Sequence, residues 1–495
     1  MKLRTSAVRG RMVGLVALLA VAMPIAAFAQ VGTPVPSPAG VTLTASGLEN
    51  PRGFTWGSDG TLYVALAGTG GARASSGASP QERAIGPFMG GLTGSVARIN
   101  DGCPAVFEGD LSSSRAANDS VRGAAAVAFL AGKLYVLDAG GGEAHGNPLT
   151  PNGVYAVDGD GSAELVADLS DWIRANSVAE PPGDQNPDGE PFAMVAGDDE
   201  LWVVESNHGQ LLRITPDGTI ARAADLSVQH MVPTGLALAP DGGLYVGFLT
   251  PVPYVDGAAK VVKVAPDGTV SDAWTGLTAV TAVAVGPDGT LFALEMATGN
   301  TQEPPFIASG TGKVVRQVGP AAAQDVAVGL DLPVSMAFGP NGGLYVGFAA
   351  FGPSAATGAI VRLDLDQGLL MTVSDQLLAS STCPGAAAPS PVASPTTSPD
   401  TPGTPTPGGD APSGPPAVSI ANFAFDPPSL TVAPGTTVTW TNNDTAAHTV
   451  TADDGAFDSG NLNPGQSFTF TFAQGGTFAY HCTYHPNMQA SIVIQ

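Results

Sequence analysis

A repeated segment constrains the fold more than any other feature of this 495-residue chain. Each copy contains an apolar run, a tight turn such as Pro-Asp-Gly, and then Leu followed by an aromatic residue. Six copies recur at intervals of roughly 45–70 residues, with their aromatic residues at Tyr63, Tyr135, Trp202, Tyr245, Phe292 and Tyr345. Asp-Gly and Asn-Gly supply the positive φ that a tight hairpin turn needs. The repeat therefore predicts hairpins of short strands.

The period of the repeat indicates how these hairpins assemble. Four-stranded propeller blades with inserted loops have periods in this range. The runs that flank the turns are apolar on both faces, as expected of strands packed between neighbouring blades. A high content of Gly and Pro with few charges also suits short strands joined by turns. We therefore predict an all-β chain with a six-bladed β-propeller over residues 41–383.

An N-terminal leader and two linkers are predicted around this domain. Basic residues, an apolar run and the small-residue site Ala27-Phe28-Ala29 identify residues 1–29 as a cleavable signal peptide. The apolar run is shorter than the ~20 residues that a membrane-spanning helix needs. Residues 30–40 are expected to be a short linker, and residues 384–416, rich in Pro, Ser and Thr, an extended one. We expect an exported protein, periplasmic or extracellular, without stable membrane insertion.

Charge limits the kinds of partner. The formal net charge is −24, and no basic stripe exists that would meet phosphates, so the sequence argues against nucleic acid as a partner. The acidity indicates solubility and long-range steering of basic partners, and it says little about the fold.

The chain has three cysteines. In an exported protein, Cys103 and Cys383 are candidates for a disulfide, which would connect the first and last blades and constrain a very long loop. Cys482 is then left over, and its surroundings give it a separate role.

Residues 417–495 have the pattern of a small Greek-key β-sandwich. Two early strands are predicted at Ser429–Val432 and Thr436–Trp440, joined by a Pro-Gly turn. Later segments predict a strand, a Gly-Gly turn, a strand, a loop and a last strand. This region is therefore expected to fold as a domain of its own.

Four residues of this sandwich form a candidate metal site. Cys482, His485 and Met488 stand in a C-x-x-H-x-x-M loop between the last two strands, and His448 precedes Cys482 by 34 residues. One thiolate and two imidazoles form a trigonal set for copper, and a thioether supplies the weak axial ligand. His481 is expected on the opposite face of its strand, in a structural role.

This stretch resembles the plastocyanin-family cupredoxins, and its short loop YHCTYHPNM is most similar to that of amicyanin. The resemblance implies one type I copper, with His448, Cys482 and His485 as equatorial ligands and Met488 as axial ligand. It also implies that Asn442 hydrogen-bonds to the loop that holds Cys482. Thr449 and Tyr484 depart from residues often found in the family, which affects the expected redox potential and not the metal.

The predicted function is one-electron transfer rather than catalysis. Electrons are expected to pass at the edge of His485, with Pro486 and its neighbours forming weak apolar contacts to a small redox protein or a membrane electron-transport component. No open coordination position with a nearby base is recognisable, so substrate oxidation at this copper is not expected. Copper storage or delivery is the contrasting interpretation, and it predicts a site that holds Cu(I) without ready cycling to Cu(II).

The propeller resembles the NHL and gluconolactonase-like superfamily, and more closely the secreted propellers of the scytonemin-biosynthesis cluster. The opening LTASGLENPRGFTWGSDGTLYVALAG and the closing LPVSMAFGPNGGLYVGF carry this resemblance. It implies a fold more than an activity, because the ligand of the propeller is unknown. A binding or scaffold module, a quinone-dependent dehydrogenase and a metal-assisted lactonase stay open.

The candidate residues of the two enzyme alternatives are few. Three histidines of the propeller, His145, His208 and His230, match no quinone-binding set. Glu205, Asn207 and Glu295 follow second strands of the repeat and are candidates for a lactonase, although polar residues are equally expected at blade ends. The loop from Asp184 resembles half of a calcium loop but lacks the closing Glu, so a turn is the favoured interpretation.

Overall fold

The structure is a computed structural model. It describes residues 40–77, 79–116, 120–228, 231–301, 306–348, 358–365, 370–373, 416–421, 424–443, 448–452, 456–460, 462, 465–472, 475–482 and 485–495. The predicted signal peptide (1–29), nearly all of both predicted linkers, Cys383 and His230 lie outside these residues. No helix within the described ranges is both long and apolar enough to cross a membrane.

The first part of the described chain consists of β1 (Val41–Leu48) and six successive antiparallel sheets. Sheet 1 contains β2 (Pro51–Trp56), β3 (Leu62–Leu66), β4 (Arg73–Ala74), β5 (Met89–Asn100), β6 (Cys103–Arg115) and β7 (Val121–Arg122). Sheet 2 contains β8 (Ala124–Leu130), β9 (Lys133–Asp138), β10 (Gly153–Val157) and β11 (Ala163–Asp168). Sheet 3 contains β12 (Pro191–Ala196), β13 (Leu201–Glu205), β14 (Gln210–Ile214) and β15 (Ile220–Asp225).

The next three sheets repeat this order. Sheet 4 contains β16 (Pro233–Leu238), β17 (Leu244–Phe248), β18 (Ala259–Val264) and β19 (Val270–Leu277). Sheet 5 contains β20 (Val280–Val285), β21 (Leu291–Glu295), β22 (Gly312–Gly319) and β23 (Ala322–Leu330). Sheet 6 contains β24 (Ser335–Phe338), β25 (Leu344–Phe348) and β26 (Gly358–Leu363), and the short β27 (Met371–Thr372) pairs in parallel with β23. Two short α-helices lie in loops, α1 (Pro80–Ile85) and α2 (Leu169–Ala175), and a 3₁₀ turn spans Glu143–His145.

The six sheets close into a ring. The first strand of each sheet packs against the first strand of the next one, and β24 of sheet 6 packs against β2 of sheet 1. The strand β1 completes sheet 6 by antiparallel pairing with β26, from Val41 opposite Leu363 to Leu48 opposite Gly358. The prediction of a six-bladed propeller is therefore confirmed, and each sheet is one blade.

The repeat needs glycine for two separate structural reasons. In the hairpin turns, Gly60, Gly289 and Gly342 have φ values of 83°, 82° and 76°, which favour glycine over other residues. At the centre of the ring, a Cβ on Gly53 would lie 2.9 Å from the Cα of Ala126 in the next blade. The repeat thus encodes both its turns and the close approach of neighbouring first strands.

Side chains at the starts of the first strands join one blade to the next. The Thr234 hydroxyl donates to the carbonyl of Val280 (2.5 Å), and the Thr281 hydroxyl donates to the carbonyl of Pro333 (2.9 Å). In blade 1 the longer side chain of Arg52 does the same, donating from Nη2 to the carbonyl of Val121 (2.6 Å). The starts of neighbouring first strands therefore lie side by side at one end of the ring, which we call the first-strand end.

The C-terminal domain is a sandwich of two four-stranded sheets. One sheet contains β28 (Ala417–Ala421), β29 (Ala424–Asp426), β31 (Thr436–Asn442) and β33 (Ser467–Phe472). The other contains β30 (Ser429–Val432), β32 (Thr451–Ala452), β34 (Gly476–Cys482) and β35 (His485–Ile494). The predicted strand at 429–432 is confirmed, and the strand that begins at 436 continues two residues further than predicted. Residues of both sheets form one apolar cluster, in which Trp440 is fully buried.

The structure confirms the disulfide prediction for one of its two cysteines. Cys103 is disulfide-bonded, and Cys482 is a free, buried cysteine. Because Cys383 lies outside the described residues, its pairing with Cys103 stays a prediction. The boundaries of the signal peptide and of the two linkers also stay predictions.

Candidate metal centre

The sandwich brings two of the four predicted ligands together. Cys482 is the last residue of β34, and His448 precedes β32, which pairs with β34. The backbone N–H and C=O groups of His448 both bond to Leu462, at 3.0 and 2.8 Å, which fixes its position. The two side chains are fully buried, and the Cys482 Sγ lies 3.7 Å from the His448 Nδ1.

This separation suits two ligands of one metal ion. With the ligand distances of Zn²⁺ as a guide, about 2.0 Å for nitrogen and about 2.3 Å for sulfur, a trigonal centre would hold the two ligand atoms ~3.7 Å apart. A soft thiolate with imidazole nitrogen is the donor type that copper sites use. The donor chemistry and the 3.7 Å spacing therefore both fit a metal between Cys482 and His448.

A backbone group also points at the sulfur. The N–H of Thr449 donates to the Cys482 Sγ at 3.2 Å, and Thr449 itself is buried. Hydrogen bonds to a ligating thiolate tune the redox potential of such sites. Sequence reasoning considered only the side chain at position 449 and missed this contact, because any residue other than proline offers an N–H.

The other two predicted ligands lie on β35. Cys482 is directly opposite His485 in the β34–β35 pairing, and the register then shifts so that His481 pairs with Gln489. His485 is thus already part of the last strand, where sequence analysis predicted a loop. Met488 lies in the shifted segment, is buried, and belongs to the same apolar cluster as Cys482. Residues 483–484, including Tyr484, lie outside the described residues, as do the side chains at 485–487.

Asn442 contributes a hydrogen bond from the other sheet. It is the last residue of β31, it is fully buried, and its Nδ2 donates to the carbonyl of Leu462 at 2.7 Å. Leu462 is the residue whose backbone pairs with His448. Asn442 therefore supports the position of His448, while its predicted bond to the loop after Cys482 stays a prediction.

Aromatic side chains belong to the same apolar cluster as Cys482. Trp440 contacts the rings of Phe457, Phe472 and Tyr480, with centroid distances of 5.7, 6.3 and 5.6 Å. Burial raises the pKa of Tyr480 to about 12, so its phenol is neutral at ordinary pH. Cys482 thus belongs to an apolar, uncharged core of low dielectric.

Among the side chains that the structure describes, no three of His, Cys, Asp and Glu meet in a group that would hold a metal. Among the four predicted ligands, the described side chains that are in contact are therefore those of His448 and Cys482.

The acidic candidates of the propeller bond to backbone groups. Glu205 and Glu295 end the second strands of blades 3 and 5. The Glu205 carboxylate accepts the N–H groups of Glu190 (2.8 Å) and Asn207 (3.0 Å), and Glu295 accepts that of Thr278 (2.8 Å). Burial alone would raise the pKa of Glu205, but hydrogen bonds from His208 and from backbone N–H groups hold it below its ordinary value. Both carboxylates therefore accept backbone N–H groups at the ends of strands, in different blades.

The loop from Asp184 uses its polar groups internally. Asn186 Oδ1 accepts the N–H of Asp188, and Asn186 Nδ2 donates to Gln81 Oε1 at 2.8 Å. The Asp188 carboxylate is bonded to Arg174 and to the N–H of Ala144. These contacts support the interpretation of this segment as a structured turn.

Comparison with known proteins concerns the C-terminal region. The Cupredoxin-like domain family matches residues 407–494. Amicyanin of Paracoccus denitrificans is 34% identical over 83 residues, which are 16% of this chain and 63% of that amicyanin. Plastocyanin of Scenedesmus fuscus is 34% identical over 86 residues, which are 15% of this chain and 88% of that plastocyanin. A solved structure described as a novel purple cupredoxin from Nitrosopumilus maritimus has 28% identity, covers 16% of this chain and 99% of its own, and has a TM-score of 0.16.

The sandwich topology, the buried Cys–His pair and the level of identity to these relatives agree with one another. Through its C-terminal domain, this chain belongs to the family of cupredoxin-like proteins.

Proposed function

We propose that the C-terminal domain holds one type I copper and transfers single electrons. His448, Cys482 and His485 would be the equatorial ligands and Met488 the axial one. The observation that carries the proposal is the fully buried pair of Cys482 Sγ and His448 Nδ1, 3.7 Å apart. Relatives named amicyanin and plastocyanin support it.

Bound copper would supply a one-electron couple, since this ligand set accommodates both Cu(I) and Cu(II). The protein's part is to keep the ligands still. Two backbone hydrogen bonds to Leu462 hold His448, and the N–H of Thr449 stabilises negative charge on the Cys482 sulfur. Because the pair is buried in a rigid β-sandwich, little reorganisation of ligands or water would accompany a change of charge.

We further propose that the protein is exported and exchanges electrons with a small redox protein or a membrane electron-transport component. The N-terminal 29 residues carry the pattern of a signal peptide, which supports export. The net charge of −24 would steer basic partners by long-range attraction. Electron exchange at the His485 edge, beside Pro486, would suit brief contacts.

For the propeller we propose a binding or scaffold module of the NHL and gluconolactonase-like kind, related to the scytonemin-cluster propellers. Glu205 and Glu295, the candidates for a lactonase, are engaged by backbone N–H groups, which supports a structural role. The contrasting function for the sandwich, copper storage or delivery, differs in whether the metal cycles between its two oxidation states.

The experiment is a titration of the full mature chain with Cu(II), followed by visible absorption and EPR spectra. An intense thiolate-to-copper band with narrow hyperfine splitting is expected, and Cys482→Ser should abolish it. The matched control is His481→Gln, the neighbouring histidine, which should keep the band. A colourless wild-type protein, or a band that survives in Cys482→Ser, would overturn the proposal. A band that bleaches with ascorbate and does not return with ferricyanide would favour storage.

A further inference from the structure

We propose that the sandwich pairs edge to edge with a second copy of this chain, through the strand β33 (Ser467–Phe472). The two copies of β33 would run antiparallel and join two four-stranded sheets into one. The inference goes beyond the proposed function, and it depends neither on copper nor on a ligand of the propeller.

The strand β33 is an edge of its sheet. Among the described strands it pairs with β31 alone, from Thr436 opposite Phe472 to Thr441 opposite Ser467. The backbone of residues 467–471 makes no other hydrogen bond to the backbone of the described chain. Such an edge presents a row of unpaired N–H and C=O groups, to which a further strand can bond.

The unpaired backbone groups belong to every second residue of β33. Just before the strand begins, the N–H of Asn442 donates to the carbonyl of Gln466 at 2.9 Å. In an antiparallel pair, opposed residues alternate between pairs that exchange hydrogen bonds and pairs that do not. The even-numbered residues of β33 therefore bond to β31. The N–H and C=O groups of Ser467, Thr469 and Thr471 point the other way, out of the sheet edge.

The side chains of β33 leave an apolar strip along this edge. Its three hydroxyl residues are exposed on the outer face of the sheet. Phe468 and Phe470 pack against the apolar cluster of the sandwich and yet are only partly buried. The Phe470 ring lies 4.9 Å from that of Phe457 and 5.0 Å from that of Phe472, which fixes its position. A strand added to β33 would cover the open sides of both partly buried rings.

The residue order of β33 makes the strand complementary to itself. Read in either direction, residues 467–471 are hydroxyl, phenylalanine, hydroxyl, phenylalanine and hydroxyl. In a pairing centred on Thr469, each residue with outward backbone groups meets another such residue, and each of these pairs exchanges two hydrogen bonds. Phe468 of one copy then lies opposite Phe470 of the other. Cross-strand pairs of aromatic residues and of threonines stabilise a sheet.

The other edge strands of the sandwich are protected against such pairing. The strand β29 ends at Asp426, Pro427 and Pro428 separate it from β30, and β32 has only two residues. Charge, proline and short length are the features that keep sheet edges from pairing. By contrast, β33 and its neighbour β31 contain neither a charged residue nor a proline. The joined sheet would end at β29 on both sides, so pairing through β33 stops at a closed dimer.

This dimer would keep both proposed copper centres apart. Asn442 lies beside the Ser467 end of β33 and supports His448 through Leu462, so the proposed centre lies towards that end. Because the paired strands run in opposite directions, the two centres would lie towards opposite ends of the joined sheet. Each could then exchange electrons with a partner of its own.

The test is sedimentation equilibrium of the full mature chain. One strand pair buries less than the roughly 1,200 Å² of a stable interface, so we expect a weak dimer that forms between about 5 and 500 µM. Thr469→Lys and Thr469→Asp each place like charges opposite each other and should weaken the dimer about 10-fold or more. An equal mixture of the two variants should restore it, because opposite charges then meet. The control Thr439→Lys adds a charge on β31, directly opposite residue 469 but away from the edge, and should dimerise like the wild type.

Three results would overturn the proposal. They are a wild type that stays monomeric over the whole range, a mixture of folded Lys and Asp variants that does not associate, and growth of the wild type into fibres. If the charged variants do not fold, Thr469→Cys is the smaller change. Its two Cα atoms would lie about 5.5 Å apart across the dimer, within the reach of a disulfide. Mild oxidation should therefore link it into a dimer and leave Thr439→Cys unlinked, and the reverse result would equally contradict pairing through β33.

Discussion

The sandwich and the propeller differ in how they bury polar groups. Among the described residues of the sandwich, the buried polar residues are Asn442, His448 and Thr449, and each contacts Leu462 or Cys482. The described propeller buries many more, and three of its buried carboxyl groups, those of Asp138, Glu205 and Glu295, lie at strand ends in separate blades. Buried polar residues therefore indicate a functional site when several of them contact the same residues.

Because their cores are separate, the two domains should unfold independently of each other. The apolar cluster around Trp440 contains only residues of the sandwich. Deleting residues 41–48 removes β1, leaves β26 as an open edge and prevents closure of the ring. We expect the propeller to unfold while the copper spectrum of the sandwich is unchanged. Circular dichroism and limited proteolysis would measure the first effect, and visible absorption the second.

Deletion of residues 30–40 is the control, and it should leave both domains folded. A propeller that melts at the wild-type temperature without β1 would contradict the closure described here, and loss of the copper band would contradict the independence of the domains.

A substitution in the sandwich core should destabilise the sandwich without affecting the propeller. Trp440→Ala should destabilise the sandwich by about 3–5 kcal/mol and leave the propeller unaffected, because a large buried ring is lost. Trp440→Phe should cost less, since most of the buried aromatic volume is kept. Denaturant unfolding followed by the copper band would measure both. Equal cost for the two variants would show that the indole nitrogen matters more than the ring.

The free energy of unfolding of the propeller should depend on pH through Asp138, which lies at the end of a strand. Burial raises the pKa of Asp138 from 3.8 to about 7, although the N–H groups of Ser112 and Gly140 donate to its carboxylate. Between these pH values the folded protein holds a proton that the unfolded chain lacks. The free energy of unfolding should therefore fall as pH rises from about 4 to about 7, by up to about 4 kcal/mol.

Asp138→Asn should remove this part of the pH dependence, as urea unfolding of the propeller at several pH values would show. Asp160→Asn, at an exposed turn, is the control. Identical slopes for wild type and Asp138→Asn would mean that Asp138 is ionised in the folded state throughout.

The smallest expected effect tests whether polar contacts of the sandwich serve its site. Asn442→Ala should cost about 1–3 kcal/mol, because it leaves the buried carbonyl of Leu462 without its side-chain donor. It should also shift the copper band, since Leu462 holds His448. Asn443→Ala, which removes an exposed bond to Ser419, should change neither. A loss of stability with an unaltered spectrum would assign Asn442 to the fold alone.

The sequence allowed the fold to be predicted where information is local. The turn glycines and the Leu-aromatic pairs specify hairpins within about 16 residues, and six of them imply the ring. The strand β1 was not recognised as part of blade 6, because VTLTASGL does not follow the repeat and its partner lies some 300 residues away. Pairing at such separation depends on the assembled ring and not on local propensity.

The site shows the same limit. The proposed ligands Cys482, His485 and Met488 were predicted from residue type and spacing, whereas the N–H of Thr449 and the backbone of Leu462 have no such signature. The bond between Gln81 and Glu190 joins positions 109 residues apart and has no sequence signature. Ligands are recognisable from sequence when their chemistry is rare, and their supports are not, because amide groups are everywhere.

The seam at β1 and β26 has a consequence for biogenesis. Because β1 pairs with Gly358–Leu363, the earliest strand to be synthesised is the last to find its place. Until that late segment is available, the nascent propeller is an open arc with two unpaired ends, a state prone to association with other chains. A chaperone that shields β1 until β26 is synthesised would therefore protect the whole ring. In a permuted chain that begins at β2 and carries β1 after β26, the two strands would be synthesised close together and could pair at once.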